Sequence, residues 1–195
     1  MRCVYFSVIM LAAFSLVHAL PLKDRILIAE VKQVLQNTKH TVLQDSAKLV
    51  IELGEAIINA RVVDELVIRQ IQTHIVNRGI ALLERGNVSE EETDALRIEM
   101  WKILSFDKLN KQQIKARSAL YTHNAIDDLI SNAAKKMSRE IRLFTLLANP
   151  KIQELSDATK QSEHELIRAF NNVAYAGLVQ QEDSLDELEA ALKKY

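Results

Sequence analysis

Residues Ala47–Val76 read AKLVIELGEAIINARVVDELVIRQIQTHIV, the most densely apolar stretch after the N-terminal segment, and their periodicity decides the fold. At about 100° per residue, one helical face collects apolar side chains at intervals of three and four, whereas a two-residue alternation never persists. The pattern therefore predicts helix, although Val and Ile are common in sheets. Further apolar residues lie off this face, which is typical of a helix surrounded by neighbours. The side chains expected in the core, or lining a cavity for an apolar ligand, are Leu49, Leu53, Ala56, Ala60, Val63, Val67 and Ile71.

The same stretch is too charged to cross a membrane. It contains Glu52, Glu55, Arg61, Asp64, Glu65 and Arg69. Each charge at the centre of a bilayer costs about 2.5–3.5 kcal/mol on insertion scales. The sequence therefore predicts no transmembrane segment.

The first 19 residues have the pattern of a secretory signal peptide. Arg2 precedes an apolar run that ends in Val17-His18-Ala19, where modest or small residues favour cleavage. We expect residues 1–19 to be the signal peptide and residues 20–195 to form a secreted, extracellular protein. The only cysteine, Cys3, lies in the signal, so the mature chain forms no disulfide and must be stabilised by burial.

The remaining chain predicts an all-α fold, a single-domain bundle of about five to seven amphipathic helices. Gly86 is expected in a left-handed conformation at a helix end, and Ser89 with Glu92 forms a capping box. Ser184 with Glu187 has the same capping spacing, and Asn149-Pro150 has the pattern of a helix start. Trp101 is expected to pack beside the core, and His74 to be a hydrogen-bonded residue of the core or of its boundary. The predicted helices are 23–60, 62–85, 90–104, 107–121, one from a turn at 122–124 to 148, 151–176 and 185–194.

Asn87-Val88-Ser89 is an Asn-x-Ser sequon. In a secreted protein, an exposed sequon is a candidate glycosylation site. The alternative is that Asn87 is only a turn residue and Ser89 only a helix cap.

No catalytic, cofactor or metal site is predicted. The mature chain has no thiol, its few glycines form no phosphate-binding loop, and its histidines lack the Glu-x-x-His and His-x-x-x-His spacings of metal-binding helices. Neighbouring Glu163, His164 and Glu165 point about 100° apart on a helix and do not converge. Without Arg2 the chain has 24 basic and 26 acidic residues, a balance that argues against nucleic acid as a partner.

Positive charge is concentrated between Lys102 and Arg142, which hold nine bases against four acids. Within this segment, Lys135, Arg139 and Arg142 form the polar side of an amphipathic helix and are the candidate face for an anionic partner. An anionic membrane surface, a sulfated glycan and an acidic protein remain open. So does a solvated face whose bases pair with the acidic flanks.

Two classes of function remain. In composition, a cysteine-free set of amphipathic helices with few aromatic residues resembles the exchangeable apolipoproteins, and this implies a non-enzymatic protein that carries or coats lipid or another apolar ligand. Glu163 near the apolar arc of its helix and Arg168 in the middle of the polar face depart from the usual lipid-surface pattern. The alternative is a closed helical bundle that acts as a secreted, cytokine-like ligand for another protein.

Overall fold

A computed structural model describes residues 20–61, 63–104, 125–176 and 180–195, with the separate positions 111, 114, 115 and 118. Several predicted features lie outside the described residues: the signal peptide, most of the helix 107–121, the turn at 122–124, and Gly177, where the helix 151–176 is expected to stop. In the described part every regular element is helical. The elements are α1 (Leu22–Ala60), α2 (Glu65–Ile71), a π-helical segment (Gln72–Asn77), α3 (Arg78–Glu84), α4 (Glu90–Leu104), α5 (Ala125–Gln153), α6 (Asp157–Ser162), α7 (His164–Tyr175) and α8 (Gln181–Leu192).

The all-α prediction is confirmed. Because α2, the π-helical segment and α3 follow one another without a break, the described residues form seven continuous helices. Among them, none combines the length and the apolar character that spanning a membrane requires.

The chain separates into two compact units. The central unit comprises Leu35–Phe144 and Gly177–Val179, and the terminal unit comprises the described residues within Met1–Val34, Thr145–Ala176 and Gln180–Tyr195. Helices α1 and α5 each contribute residues to both. The prediction of a single domain stays a prediction.

The core of the central unit is built around the stretch Ala47–Val76. Of the seven residues predicted there, Leu53, Val63 and Ile71 are buried, while Leu49, Ala56, Val67 and Ala60 are half-buried. The face of α1 that is most deeply buried is rotated by roughly 100°, one residue, from the predicted one. It contains Ala47, Val50, Ile51, Leu53 and Ile57. Val50, Ile51 and Ile57, which lie off the predicted face, are therefore central to the core.

Two glycines allow the helices of this core to approach closely. A Cβ atom at Gly54 would lie 3.1 Å from Val76 Cγ2, and one at Gly79 would lie 2.6 Å from Ile51 Cγ1. The wider turn of the π-helical segment lets the adjacent residues Ile75 and Val76 both face the core. The helix expected over 62–85 is present as a continuous helix from Glu65 to Glu84, but it is not regular throughout, because Gln72–Asn77 is π-helical. Arg61 in a left-handed conformation (φ 51°) separates it from α1.

The start of α4 agrees with its sequence signals. Gly86 has φ 71°, and the Ser89 Oγ atom accepts a hydrogen bond from the Glu92 amide at 3.2 Å and donates one to Glu92 Oε2 at 2.8 Å. The placements of Trp101 and His74 against the core are wrong. Trp101 is 61% exposed and His74 is exposed as well, because Leu96 and Met100 occupy the core-facing positions of α4 while Ile75 and Val76 occupy those of the π-helical segment.

In the terminal unit, apolar side chains from four helices are buried. They are Leu27, Ile28 and Val31 of α1, Ala148 and Ile152 of α5, Leu166, Ala169, Phe170 and Val173 of α7, and Leu185, Leu188 and Leu192 of α8. Helices α7 and α8 pack on each other.

Two predicted helix starts in this unit are wrong. Helix α5 continues through Pro150 to Gln153. Proline lacks an amide N–H and so costs the helix one hydrogen bond, but Pro150 lies near the helix end, and its carbonyl still accepts from the Glu154 amide at 3.0 Å. The next helix begins instead after Ser156. Ser184 lies inside α8, where its hydroxyl donates to the Gln180 carbonyl at 2.7 Å and forms no cap.

Candidate ligand-binding groove

A groove with a volume of 630 Å³ lies within the terminal unit. Its lining is contributed by the first residues of the described chain, by the junction between α6 and α7, and by the last two residues. These residues are Leu20, Leu22, Arg25, Ile26, Ala29, Glu163, Lys194 and Tyr195. The volume falls within the range of about 300–1,000 Å³ that is typical of small-molecule sites.

The first turns of α1 supply the apolar part of the groove. Leu22 and Ile26 are four residues apart and share one side of the helix, where they are 72% and 51% exposed. The other side carries Asp24, Leu27 and Ile28, which are buried. Helix α1 is therefore apolar on two sides here, and only one of them is covered by the protein.

A buried carboxylate holds these turns in place. Asp24 is 2% exposed, and its side chain accepts hydrogen bonds from the Ser156 hydroxyl (2.6 Å), the Thr159 hydroxyl (2.6 Å) and the Ser156 amide (3.3 Å). Ser156 is also the N-cap of α6 and accepts from the Thr159 amide at 3.3 Å. One cluster thus fixes the start of α1 against the start of α6.

The surroundings keep Asp24 ionised. Burial alone raises the pKa of this carboxyl, but the hydrogen bonds from Ser156 and Thr159 and the charge of Lys23 together hold the pKa below its usual value. Two ion pairs, Lys23 with Glu154 at 3.8 Å and Lys151 with Glu30, flank the cluster.

The polar side of the groove is formed by the ion pair between Glu163 and Lys194 and by the phenol of Tyr195. Glu163 Oε2 accepts from Lys194 Nζ at 2.5 Å and also accepts from the Tyr195 hydroxyl. Burial raises the pKa of Glu163, yet these two donors and the nearby His164 together lower it below its ordinary value. Burial and the Glu163 charge raise the pKa of Tyr195 far above its ordinary value, so the phenol stays neutral and remains a donor.

One charge in the groove has no counter-ion among the residues that the structure describes. Lys194 and Glu163 neutralise each other, whereas the Arg25 guanidinium forms no ion pair with any residue the structure describes. The groove therefore joins an apolar strip to a net positive charge. This arrangement suits an apolar molecule with an anionic head group.

The geometry gives no support to bond-breaking chemistry at the Asp24 cluster. Asp24 does contact two hydroxyl groups, but a carboxylate with a lowered pKa is a poor base and cannot activate Ser156 as a nucleophile. Among the described residues no group of His, Cys, Asp and Glu side chains has the arrangement of a metal site.

The other sequence-predicted residues lie outside the groove. Asn87 is exposed in the loop before α4, and Lys135, Arg139 and Arg142 are exposed on α5. A Cβ atom at Gly54 would lie 3.1 Å from its nearest neighbour and one at Gly79 would lie 2.6 Å from it, so this close packing gives the stretch Ala47–Val76 the role of a core and offers no support for a ligand cavity there.

Sequence reasoning missed the groove. The N-cap pattern Ser156-Asp157-Ala158-Thr159 was available, but nothing local showed that its partner, Asp24, lies 132 residues earlier. Similarly, the residues around Glu163 on its own helix do not reveal its partner Lys194, which lies 31 residues later.

Comparison of this chain with protein-family models, with curated proteins and with solved structures gives no match.

Proposed function

We propose that this protein is a secreted, non-enzymatic binding protein that carries an apolar ligand with an anionic head group in the groove of the terminal unit. The observation that carries the proposal is the pair of exposed side chains Leu22 and Ile26 beside Arg25, which forms no ion pair with a described residue, within a volume of 630 Å³. Secretion is supported by the signal-like segment 1–19.

The apolar strip provides most of the expected affinity. Removing an isoleucine side chain from water stabilises a complex by about 1.5–3 kcal/mol when burial is complete. An exposed ion pair adds only about 0.2–1 kcal/mol, so Arg25 contributes mainly to the choice of head group.

The proposal is tested by titrating the secreted protein with oleate and with the uncharged oleyl alcohol. Ile26→Glu should weaken binding of both ligands by about tenfold or more, because it removes apolar contact and places a carboxylate beside the chain. Arg25→Gln should weaken oleate by about two- to fivefold and leave the alcohol unchanged.

Ile98→Glu is the matched control, since Ile98 is 55% exposed on α4 and lies outside the groove. Absence of saturable binding to either ligand, or equal losses in Ile26→Glu and Ile98→Glu, would contradict the proposal.

A second candidate function has its own support. Trp101 and Ile98 are 61% and 55% exposed and lie three residues apart on α4, so they form an apolar patch on one side of the helix. Exposed tryptophan is enriched among the residues that dominate protein–protein interfaces. This patch favours the cytokine-like alternative, in which the protein binds another extracellular protein. Trp101→Ala should abolish capture of that partner from extracellular fluid and leave oleate binding unchanged.

A further inference from the structure

The solvent-facing side of α5 changes character along the helix, and neither the core nor the groove uses it. Ile141, Phe144 and Ala148 are buried on one side. The opposite side carries bases toward its N-terminal half and leucines toward its C-terminal half. All these residues belong to one continuous helix, so their spacing follows from helix geometry alone.

The leucines form a compact apolar patch. Leu143, Leu146 and Leu147 are 41%, 62% and 57% exposed. Their spacing of three and four residues places them within one helical turn on the same side. A solvent-facing position of a helix normally carries polar residues, and three large leucines in one turn are typical of an interaction surface.

Four bases precede this patch. Lys135, Lys136, Arg139 and Arg142 are all exposed, and none of them forms an ion pair with a described residue. The spacing is three residues from Lys136 to Arg139 and four from Arg139 to Leu143. Residues at these spacings are neighbours on a helix, so the bases lie next to the apolar patch on the same side of α5. No carboxylate in the described part of the chain therefore competes with an external anion for these bases.

We propose that this side of α5, from Lys135 to Leu147, docks on the surface of an anionic lipid bilayer. In this arrangement the leucines enter the boundary between head groups and acyl chains, and the bases contact lipid phosphates. A sulfated glycan offers anions but no apolar phase, so it leaves the leucines in water. The bilayer is the partner that engages both halves of the surface.

Docking leaves the fold intact. The opposite side of α5 stays buried, so the helix binds while packed in the protein and the bundle does not open. The inference is independent of the groove, because Leu20–Ala29, Glu163, Lys194 and Tyr195 contribute nothing to this surface. A carrier with such a surface would load and release its ligand at a membrane.

The experiment is co-sedimentation of the full secreted protein, without added ligand, with vesicles of mixed phosphatidylcholine and phosphatidylserine. Wild type should bind these vesicles and bind phosphatidylcholine alone much more weakly, with a clear loss as salt is raised. Leu146→Ser or Leu147→Ser should weaken binding by about tenfold. Arg139→Gln or Arg142→Gln should weaken it by about fivefold.

Matched controls come from exposed positions elsewhere. Leu66→Ser replaces a leucine that is 70% exposed on α2, and Lys193→Gln removes an exposed base after α8, and both should leave binding unchanged. Circular dichroism must show native helicity in every variant. Failure of wild type to bind the mixed vesicles would overturn the inference, as would equal losses in Leu146→Ser and Leu66→Ser. Heparin binding that replaces vesicle binding would assign the bases to a glycan and would also overturn it.

Discussion

The central and terminal units are stabilised in different ways, although both are helical. In the central unit, apolar side chains fill the space between helices so closely that a Cβ atom at Gly79 would lie 2.6 Å from Ile51 and one at Gly54 would lie 3.1 Å from Val76. In the terminal unit, a buried ionised carboxylate, Asp24, fixes one helix start, and the adjacent face of α1 leaves Leu22 and Ile26 exposed. The comparison indicates that the most apolar part of a sequence can serve stability alone, while the less apolar part leaves apolar side chains exposed, and it is there that we propose the ligand binds.

The largest expected effect on stability is in the apolar core of the central unit. Replacing Leu53, which is 7% exposed, by Asp places an unpaired charge among apolar side chains. Such a change costs more than about 4 kcal/mol and should unfold the central unit. Loss of helicity measured by circular dichroism checks it, with Leu66→Asp as the exposed control. A Leu53→Asp variant with native helicity and melting would show that the core lies elsewhere.

The next effect tests how closely the central helices approach. Gly79→Ala gains about 1 kcal/mol of helix propensity but places a methyl group 2.6 Å from Ile51 Cγ1, and overpacking of this kind costs about 1–3 kcal/mol. We expect net destabilisation in chemical denaturation. Ile51→Ala removes the clashing Cγ1 atom, so the loss in the double variant should be smaller than the sum of the two single losses. Stabilisation by Gly79→Ala alone would show that the helices are farther apart.

The Asp24 cluster makes the stability of the terminal unit depend on pH, whereas the apolar core of the central unit contributes no such dependence. Because the pKa of Asp24 is lowered in the folded state, its stabilising contribution is fully present above the unfolded pKa of about 3.9 and is lost as pH falls through the folded value. Asp24→Asn turns an amide toward the Ser156 and Thr159 hydroxyls and should cost about 1–3 kcal/mol at neutral pH.

Hydrogen exchange measures this locally. In Asp24→Asn, amides near Ser156 and in the first turns of α1 should exchange faster, and those of 47–76 should be unchanged. The difference in exchange rate between Asp24→Asn and wild type should shrink in acid, because protonation of the wild-type carboxyl removes its stabilising contribution. A difference that stays constant with pH would contradict the role given to the charge.

The smallest effect concerns the end of α1 in the central unit. Arg61 has φ 51°, a conformation that costs a residue with a side chain about 1–2 kcal/mol relative to glycine. Arg61→Gly should raise stability by about 0.5–1 kcal/mol after the greater flexibility of unfolded glycine is counted. Thermal melting checks it. Arg61→Ala keeps the strain and should give no gain.

The helical fold could be predicted from the sequence because periodicity, capping and glycine positions act over a few residues. Gly86 and the Ser89–Glu92 box were identified for this reason, and the structure confirms them. The rotation of the buried face of α1 could not be predicted, because it depends on which neighbours cover a helix that is apolar on more than one side. The continuation of α5 through Pro150 was missed because local statistics favour a helix start there.

The groove could not be predicted at all from local patterns. Its residues come from three distant parts of the sequence, and the pairs that shape it, Asp24 with Ser156 and Glu163 with Lys194, are long-range contacts. Leu22 and Ile26 alone look like ordinary helix residues. Only the tertiary structure shows that they remain uncovered.

Hydrogen exchange of the protein with and without oleate tests the central claim most directly, because it reports on both units in one measurement. We predict slower exchange of the amides in 22–34 and near Tyr195, with no change in 47–76. Protection of 47–76, or no protection anywhere at a saturating oleate concentration, would contradict the assignment of binding to the terminal unit and of stability to the central core.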